Sequence, residues 1–171
     1  MLSLILFRHA KSDWNTEYAS DPERPLAQRG IRAARFMGQF LAATGQVPAL
    51  ALTSHAVRAK DTLDLARRQG DWRCRVEVDP DIYGSDADRL LEILRQRQGA
   101  PQSILVTGHE PTCSDMAARL IGGPAQIRFP TATMARIDIP ADDWPLIDFG
   151  AGEMRWLVPP KLLGNRGLRF A

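Results

Sequence analysis

The segment Leu2 to Phe7 is a short, nearly continuous apolar run, the pattern of a strand covered on both faces. Ala49 to Thr53 and Ser103 to Thr107 have the same character, whereas Val76 to Val78 is a weaker candidate that alternates with charge. Between the first two runs, Ile31, Ala34, Met37 and Leu41 fall on one helical face, with Gly45 placed to stop the helix. Further helices are predicted over Val57–Arg68, over Asp86–Arg97 and over Thr112–Ile121. For the middle one Ser85 can cap, with Asp88 three residues on.

This alternation of strand and helix predicts a three-layer α/β/α sandwich with a mostly parallel central sheet. The end of the chain departs from it. Met134–Ile139 and Glu153–Val158 read as two strands joined by a loop containing Pro, Asp and Gly, and they predict an antiparallel edge. No repeat, low-complexity tract or linker divides the chain, so residues 1–171 are read as a single domain, with residues 159–171 a C-terminal tail.

At 171 residues the chain can enclose one sizeable core. With 44% hydrophobic and 25% charged residues it falls outside the disordered, collagen-like and coiled-coil classes. A formal net charge of +2 is too balanced for nonspecific binding to nucleic acid or a membrane, so neither is expected as a partner. Any anion must be held locally. Cys74 and Cys113 form no CxxC pair and no disulfide framework, which fits a reducing compartment. The opening apolar run lacks a basic flank and is cut off by Arg8-His9, too short for a signal peptide or a membrane span. A cytoplasmic, monomeric protein is expected.

The three histidines, His9, His55 and His109, each come within two residues of the carboxyl end of a predicted strand. In an open α/β sheet that edge is where ligands bind. Arg8 stands directly before His9, Arg58 lies at the start of the helix after the second strand, and His109 follows Gly108. Arginine offers a planar fork of donors suited to phosphate oxygens, and helix N-termini add free N–H groups. The set reads as a phosphate pocket. The competing reading, a metallohydrolase with the three histidines as ligands, is weakened by two nearby arginines and by few neighbouring carboxylates apart from Glu110.

A histidine in a dry, cationic pocket is pushed toward its neutral, nucleophilic form. His9 could then attack phosphorus through one ring nitrogen while the other donates to a backbone carbonyl, giving a phosphohistidine that water hydrolyses. Arg8, Arg58 and His109 would stabilise the equatorial oxygens. No metal or other cofactor is called for. The same pocket without catalysis would make a phosphate-binding module.

These residues carry a family resemblance. Leu6-Phe7-Arg8-His9-Ala10-Lys11 resembles the Arg-His-Gly signature of the histidine phosphatase superfamily, the relatives of phosphoglycerate mutase. Ser54, Arg58-Ala59 and Thr62 resemble its Ser-x-x-x-Arg-Ala-x-x-Thr motif, and Val106 to Pro111 its Gly-His element. The short length, Ser12, the stretch Asp21 to Leu26 followed by Gly30, and Pro130-Thr131-Ala132 are similar to the SixA-type phosphohistidine phosphatases of bacteria. The likeness runs over nearly the whole chain. It implies a phosphoglycerate mutase-like fold, His9 as phospho-accepting nucleophile, and Arg8, Arg58 and His109 as the phosphate-holding group. Ser12 is the weaker candidate for a phosphate contact, one that the corresponding serine makes in mutase-like relatives. Ala10 stands where the family usually has glycine, and His55 where it more often has a small residue or proline.

The larger departure concerns the general acid. Relatives acting on esters carry a glutamate in the segment corresponding to Pro80-Asp81-Ile82-Tyr83-Gly84, and none follows Ile82 here. An alkoxide leaving group needs a proton, whereas an imidazole protonated on its remote nitrogen departs neutral. The resemblance therefore implies a substrate with a P–N bond: a phosphohistidine-bearing protein, with inorganic phosphate as product. A small phosphorylated molecule is the alternative substrate. Asp81 and Glu110 are candidate proton donors. Trp14, Trp72, Trp144 and Trp156 are expected as packing anchors, Ser54 and Thr62 as helix-capping or Arg58-positioning residues, Arg24 as a residue of the pocket mouth or, more simply, a solvated ion pair with Asp21, and Lys11 as a solvated charge.

Overall fold

In a computed structural model that describes residues 1–164, the strands are β1 (Leu2–Arg8), β2 (Leu50–Thr53), β3 (Arg75–Val78), β4 (Ser103–Gly108), β5 (Met134–Ile139) and β6 (Glu153–Val158). They join one sheet in the order β3-β2-β4-β1-β5-β6. Strands β1 to β4 run parallel, and β5 pairs antiparallel with both β1 and β6. The helices are α1 (Gln28–Ala43), α2 (Val57–Gln69), α3 (Ala87–Arg95) and α4 (Thr112–Leu120). The expected α/β sandwich with its antiparallel edge is the observed architecture.

The nearly continuous apolar run of β1 follows from its place in the middle of the sheet. Leu2, Leu4 and Leu6 pack on one face with Leu90 and Leu94 of α3 and Met116 and Leu120 of α4. Ile5 and Phe7 point to the other face, against Met37 and Leu41 of α1 and Leu63 of α2. A strand covered on both sides has no solvent-facing position to reserve for a polar residue. The β3 strand is the reverse case. It pairs only with β2, and the exposure of Val76 and Val78 fits an edge strand in which charge alternates with valine.

The chain order positions the site. From β1 the chain passes through α1 to β2 and through α2 to β3, then reverses through α3 to place β4 between β2 and β1. That reversal sets the carboxyl ends of β1, β4 and β2 side by side, the crevice where open α/β sheets bind ligands.

Three local features differ from the sequence expectation. The cap of α3 is Asp86, whose carboxylate accepts from the Arg89 N–H at 2.8 Å, while the Ser85 hydroxyl donates to the Ile82 carbonyl at 3.0 Å. Adjacent Ser and Asp carry the same capping signal, and backbone geometry selects one of them. The loop between β5 and β6 contains a 3-10 turn, Trp144–Leu146, in which Trp144 is buried and its indole donates to the Pro101 carbonyl at 2.9 Å. Finally, Pro160–Leu163 forms a turn within the expected tail and packs Leu163 on the α1 and α2 side of the core. Residues 165–171 of that tail lie outside the described residues. No helix among the described residues is long and apolar enough to cross a membrane.

Candidate active site

Arg8 ends β1 directly opposite Gly108 of β4, and Thr53 ends β2 opposite Thr107. The next residues along each strand, His9, Ser54 and His109, therefore emerge from one edge of the sheet. The loop bearing His9 is held on several sides. Its N–H donates to the Gly108 carbonyl at 3.0 Å, and its carbonyl accepts from the Ala132 N–H at 3.1 Å. The Ala10 N–H donates to the Thr62 hydroxyl at 2.9 Å, which donates in turn to the Arg58 carbonyl at 2.6 Å. Thr62 thus ties the histidine loop to the first turn of α2, which carries Arg58. Gly30 is required on the other flank: a Cβ there would sit 2.2 Å from the Lys11 carbonyl oxygen.

The His9 ring has a defined tautomer. Its Nδ1 lies 2.8 Å from the Ala10 carbonyl oxygen, and because a carbonyl only accepts, Nδ1 carries the proton and Nε2 holds the lone pair. Burial is the main force that lowers the pKa of His9 from 6.5 to about 4; the bond to Ala10 opposes it, and the charges of Arg58, Arg8 and Arg24 add to the lowering. His9 is therefore neutral at physiological pH. It lines a cavity of about 470 Å³ shared with Arg8, Ser12, Arg24, Arg58 and His109.

The arginines are held by acceptors around the cavity. Arg8 donates to the Phe129 carbonyl at 2.7 Å. Arg58 donates to the Asp21 carbonyl at 2.7 Å and to its carboxylate at 2.8 Å. Arg24 donates to the Ser12 hydroxyl at 3.0 Å and to the Asp21 carboxylate at 2.6 Å, and its guanidinium stacks 3.5 Å above the Trp14 ring. With only 6% of its surface exposed, Arg24 is part of the cavity wall rather than the solvated pair the sequence suggested. The Nε of each of these arginines is buried without a protein partner. A buried guanidinium with unused donors is well suited to an incoming anion. Asp21 organises the group, since its carboxylate also accepts from the Tyr83 hydroxyl at 2.8 Å. Burial raises the pKa of this carboxyl, but the bonds from Tyr83, Arg58 and Arg24 outweigh that and hold it at about 2.

His109 faces His9 with 5.2 Å between ring centroids. Burial again comes first among the causes that lower its pKa, to about 3, followed by the charges of His9 and Arg58. Its Nε2 lies 2.9 Å from the Ser54 hydroxyl oxygen. Tyr83 packs edge-on against both His109 and His55, at 5.4 and 5.1 Å. His55 is exposed and stands outside the cavity lining, so the three histidines do not converge. No group of three or more His, Cys, Asp and Glu among the described residues is placed to hold a metal ion.

The structure thus brings His9, Arg8, Arg58, His109 and Ser12 together, and it separates the two candidate acids. Asp81 is not in the cavity lining; it is exposed and pairs with Arg89. Glu110 does line the cavity, and burial raises its pKa. Both of its oxygens accept from Ser114, one from the N–H at 3.1 Å and one from the hydroxyl at 2.6 Å, so it caps the first turn of α4. Sequence reasoning missed the roles of Asp21 and Tyr83, and for Arg24 it anticipated the pairing with Asp21 but favoured a solvated pair over a buried one. The stretch Asp21 to Leu26 carried the family likeness, and that was the available signal for two of them. Trp72 and Trp144 are buried as expected, but Trp14 is 62% exposed at the cavity mouth, over Arg24.

Comparison with known proteins matches residues 4–90 to the histidine phosphatase superfamily, branch 1. An uncharacterised chloroplastic protein of Arabidopsis thaliana is 30% identical, covering 92% of this chain and 77% of its own length. An uncharacterised protein of Mycobacterium tuberculosis is 33% identical, covering 86% and 95%. Among solved structures, the protein histidine phosphatase SixA complexed with tungstate superposes with a TM-score of 0.81 at 25% identity, over 95% of this chain and 99% of that one.

Proposed function

The chain belongs to the histidine phosphatase superfamily, and we propose that within it the protein is a phosphohistidine phosphatase that works without a metal, through a covalent phosphohistidine on His9. Membership and the SixA-like fold support a phosphatase. The observation that carries the finer reading is a neutral imidazole set among three arginines, in a cavity whose lining carboxyl, Glu110, is engaged by Ser114 through both oxygens. Asp21 is held ionised at about 2, Asp81 lies outside the lining, and Glu110 is bonded through both oxygens.

In this mechanism the Nε2 lone pair of His9 forms a bond to phosphorus as the P–N bond of the substrate breaks and its electron pair returns to the leaving imidazole. When that imidazole carries a proton on its remote nitrogen it leaves neutral, and no acid has to act. Phosphorylated His9 takes on the positive charge of an N-phosphorylated ring, which the Nδ1–H bond to the Ala10 carbonyl stabilises. Water then displaces the phosphoryl group, the N–P electron pair returns to Nε2, and phosphate leaves while the proton of the water passes to solvent. Substrate and intermediate are both phosphoimidazoles, so neither step is steeply uphill. Arg8, Arg58, Arg24, Ser12 and His109 surround the transferring oxygens, where a loose transition state needs positioning and charge stabilisation more than covalent help.

The test is turnover of a phosphohistidine peptide against that of a phosphoserine peptide and a sugar phosphate. General acids contribute about 10² to 10⁴-fold, so kcat/KM should favour the phosphohistidine peptide by about 100-fold or more. Equal values would overturn the substrate assignment and point to a small-molecule phosphomonoesterase.

A further inference from the structure

We propose that Ser54 is a positioning residue that holds His109 as its Nδ1–H tautomer by donating its hydroxyl proton to Nε2, so that His109 presents a neutral N–H donor to a phosphoryl oxygen. This rests on the phosphoryl-transfer reading for its purpose, but the hydrogen bonds that carry it do not.

Ser54 is fully buried at the end of β2. Its Oγ accepts from the Ala56 N–H at 3.2 Å and lies 2.9 Å from His109 Nε2. An amide N–H can only donate, so that contact uses an oxygen lone pair and leaves the hydroxyl proton needing an acceptor. Among the hydrogen bonds of the described residues, His109 Nε2 is the acceptor within reach. The opposite arrangement, with Nε2–H donating to Oγ, would make the oxygen accept twice and bury the hydroxyl proton without a partner. A buried donor left unsatisfied is the costlier alternative. Ser54 is therefore the donor, and Nε2 carries no proton.

A neutral imidazole has one N–H, which then sits on Nδ1. The Nδ1 of His109 is buried and has no protein partner, although the residue forms part of the cavity wall beside His9. An orphaned polar atom in that position calls for a ligand acceptor. The two histidines are thus locked in the same tautomer by different neighbours, Ala10 for His9 and Ser54 for His109. They put it to opposite uses: His9 offers the lone pair of Nε2, and His109 offers the proton of Nδ1. The role of Ser54 extends beyond shaping the start of α2, and the pairing with His109 links two motif segments 55 residues apart.

Long-range ¹H–¹⁵N correlation spectra of the ¹⁵N-histidine-labelled protein test this in the resting state. His109 signals are assigned by their loss in His109→Ala. The expected result is a protonated Nδ1 and an unprotonated Nε2, with the Nδ1 resonance moving on addition of inorganic phosphate. In Ser54→Ala the tautomer should shift toward Nε2–H, and phosphate affinity should fall about tenfold, the ratio that one lost hydrogen bond represents. A wild-type His109 protonated on Nε2 overturns the proposal, as does a Ser54→Ala protein with an unchanged tautomer or an Nδ1 unmoved by saturating phosphate. Should Ser54→Ala fail to fold, the wild-type spectrum decides alone. Because the tautomer is read without turnover, a protein inactive on phosphohistidine would refute the functional reading and leave this one standing or falling separately.

Discussion

A histidine with an ordinary pKa is half charged near pH 6.5, and a charged imidazole has no lone pair to offer phosphorus. Burial and the neighbouring arginines move His9 to about 4, so the proposed nucleophile is neutral throughout the physiological range. The acid limb that His9 gives to kcat/KM should accordingly lie near pH 4, measured on a phosphohistidine peptide; a limb centred on 6.5 would mean that the ring is solvated and the cavity is not as described. Stability follows the same sign. Between about pH 6.5 and 4 the unfolded chain binds a proton at this position and the native state does not, so acidification across that window destabilises the fold, by about 3 kcal/mol through His9. Asp21 acts in the same direction lower down: its native pKa lies below the unfolded value, so its contribution is present above about pH 4 and is lost as pH falls toward 2. At this scale the sequence was legible where residue type and strand end coincided, as at Arg8, His9 and His109. Asp21 and Tyr83 were hidden because they meet across 62 residues, through loops that carry no periodicity. Arg24 looked like a surface charge for the same reason: only the fold of its loop shows that Ser12 and Asp21 enclose it.

Among the elements, the pairing of α1 with α2 matters most to the site, because α2 carries both Arg58 and the Thr62 hydroxyl that anchors Ala10. These helices touch backbone to backbone at Gly38, where a Cβ would fall 2.1 Å from the Ala66 carbonyl oxygen. Gly38→Ala should push α2 outward. Overpacking of this kind costs about 1–3 kcal/mol, and kcat/KM should fall with it as Arg58 moves relative to His9. Urea unfolding and steady-state rates check both parts. A variant of wild-type stability would show that the helices are not in close contact, and a destabilised one with wild-type kcat/KM would show that the spacing of α2 does not control the site. The strands were readable to within a residue or so because continuous and alternating hydrophobicity report burial on both faces, as in β1, or at an edge, as in β3. Capping was less so. Ser85 and Asp86 give the same signal, and the C-terminal end of α3 was placed two residues too far because Gln96 and Arg97 are good helix formers by composition.

At the scale of the molecule, the chain reversal that inserts β4 between β2 and β1 turns three separated motifs into one cavity. Nothing in the order of the elements announces that insertion, since strand and helix alternate just as regularly in sheets without it. The family likeness is what implied it. The site that results has a neutral imidazole, a cationic surround and a lining carboxyl already engaged by Ser114, and the account stands on the first of these taking up the phosphoryl group. Rapid quenching of the protein during turnover of a phosphohistidine peptide labelled in its phosphoryl group, with mapping of the trapped label, addresses this directly. Acid-labile, base-stable label on His9, absent in His9→Ala together with turnover, is the result expected; label on another residue, or undiminished turnover by His9→Ala, would contradict it.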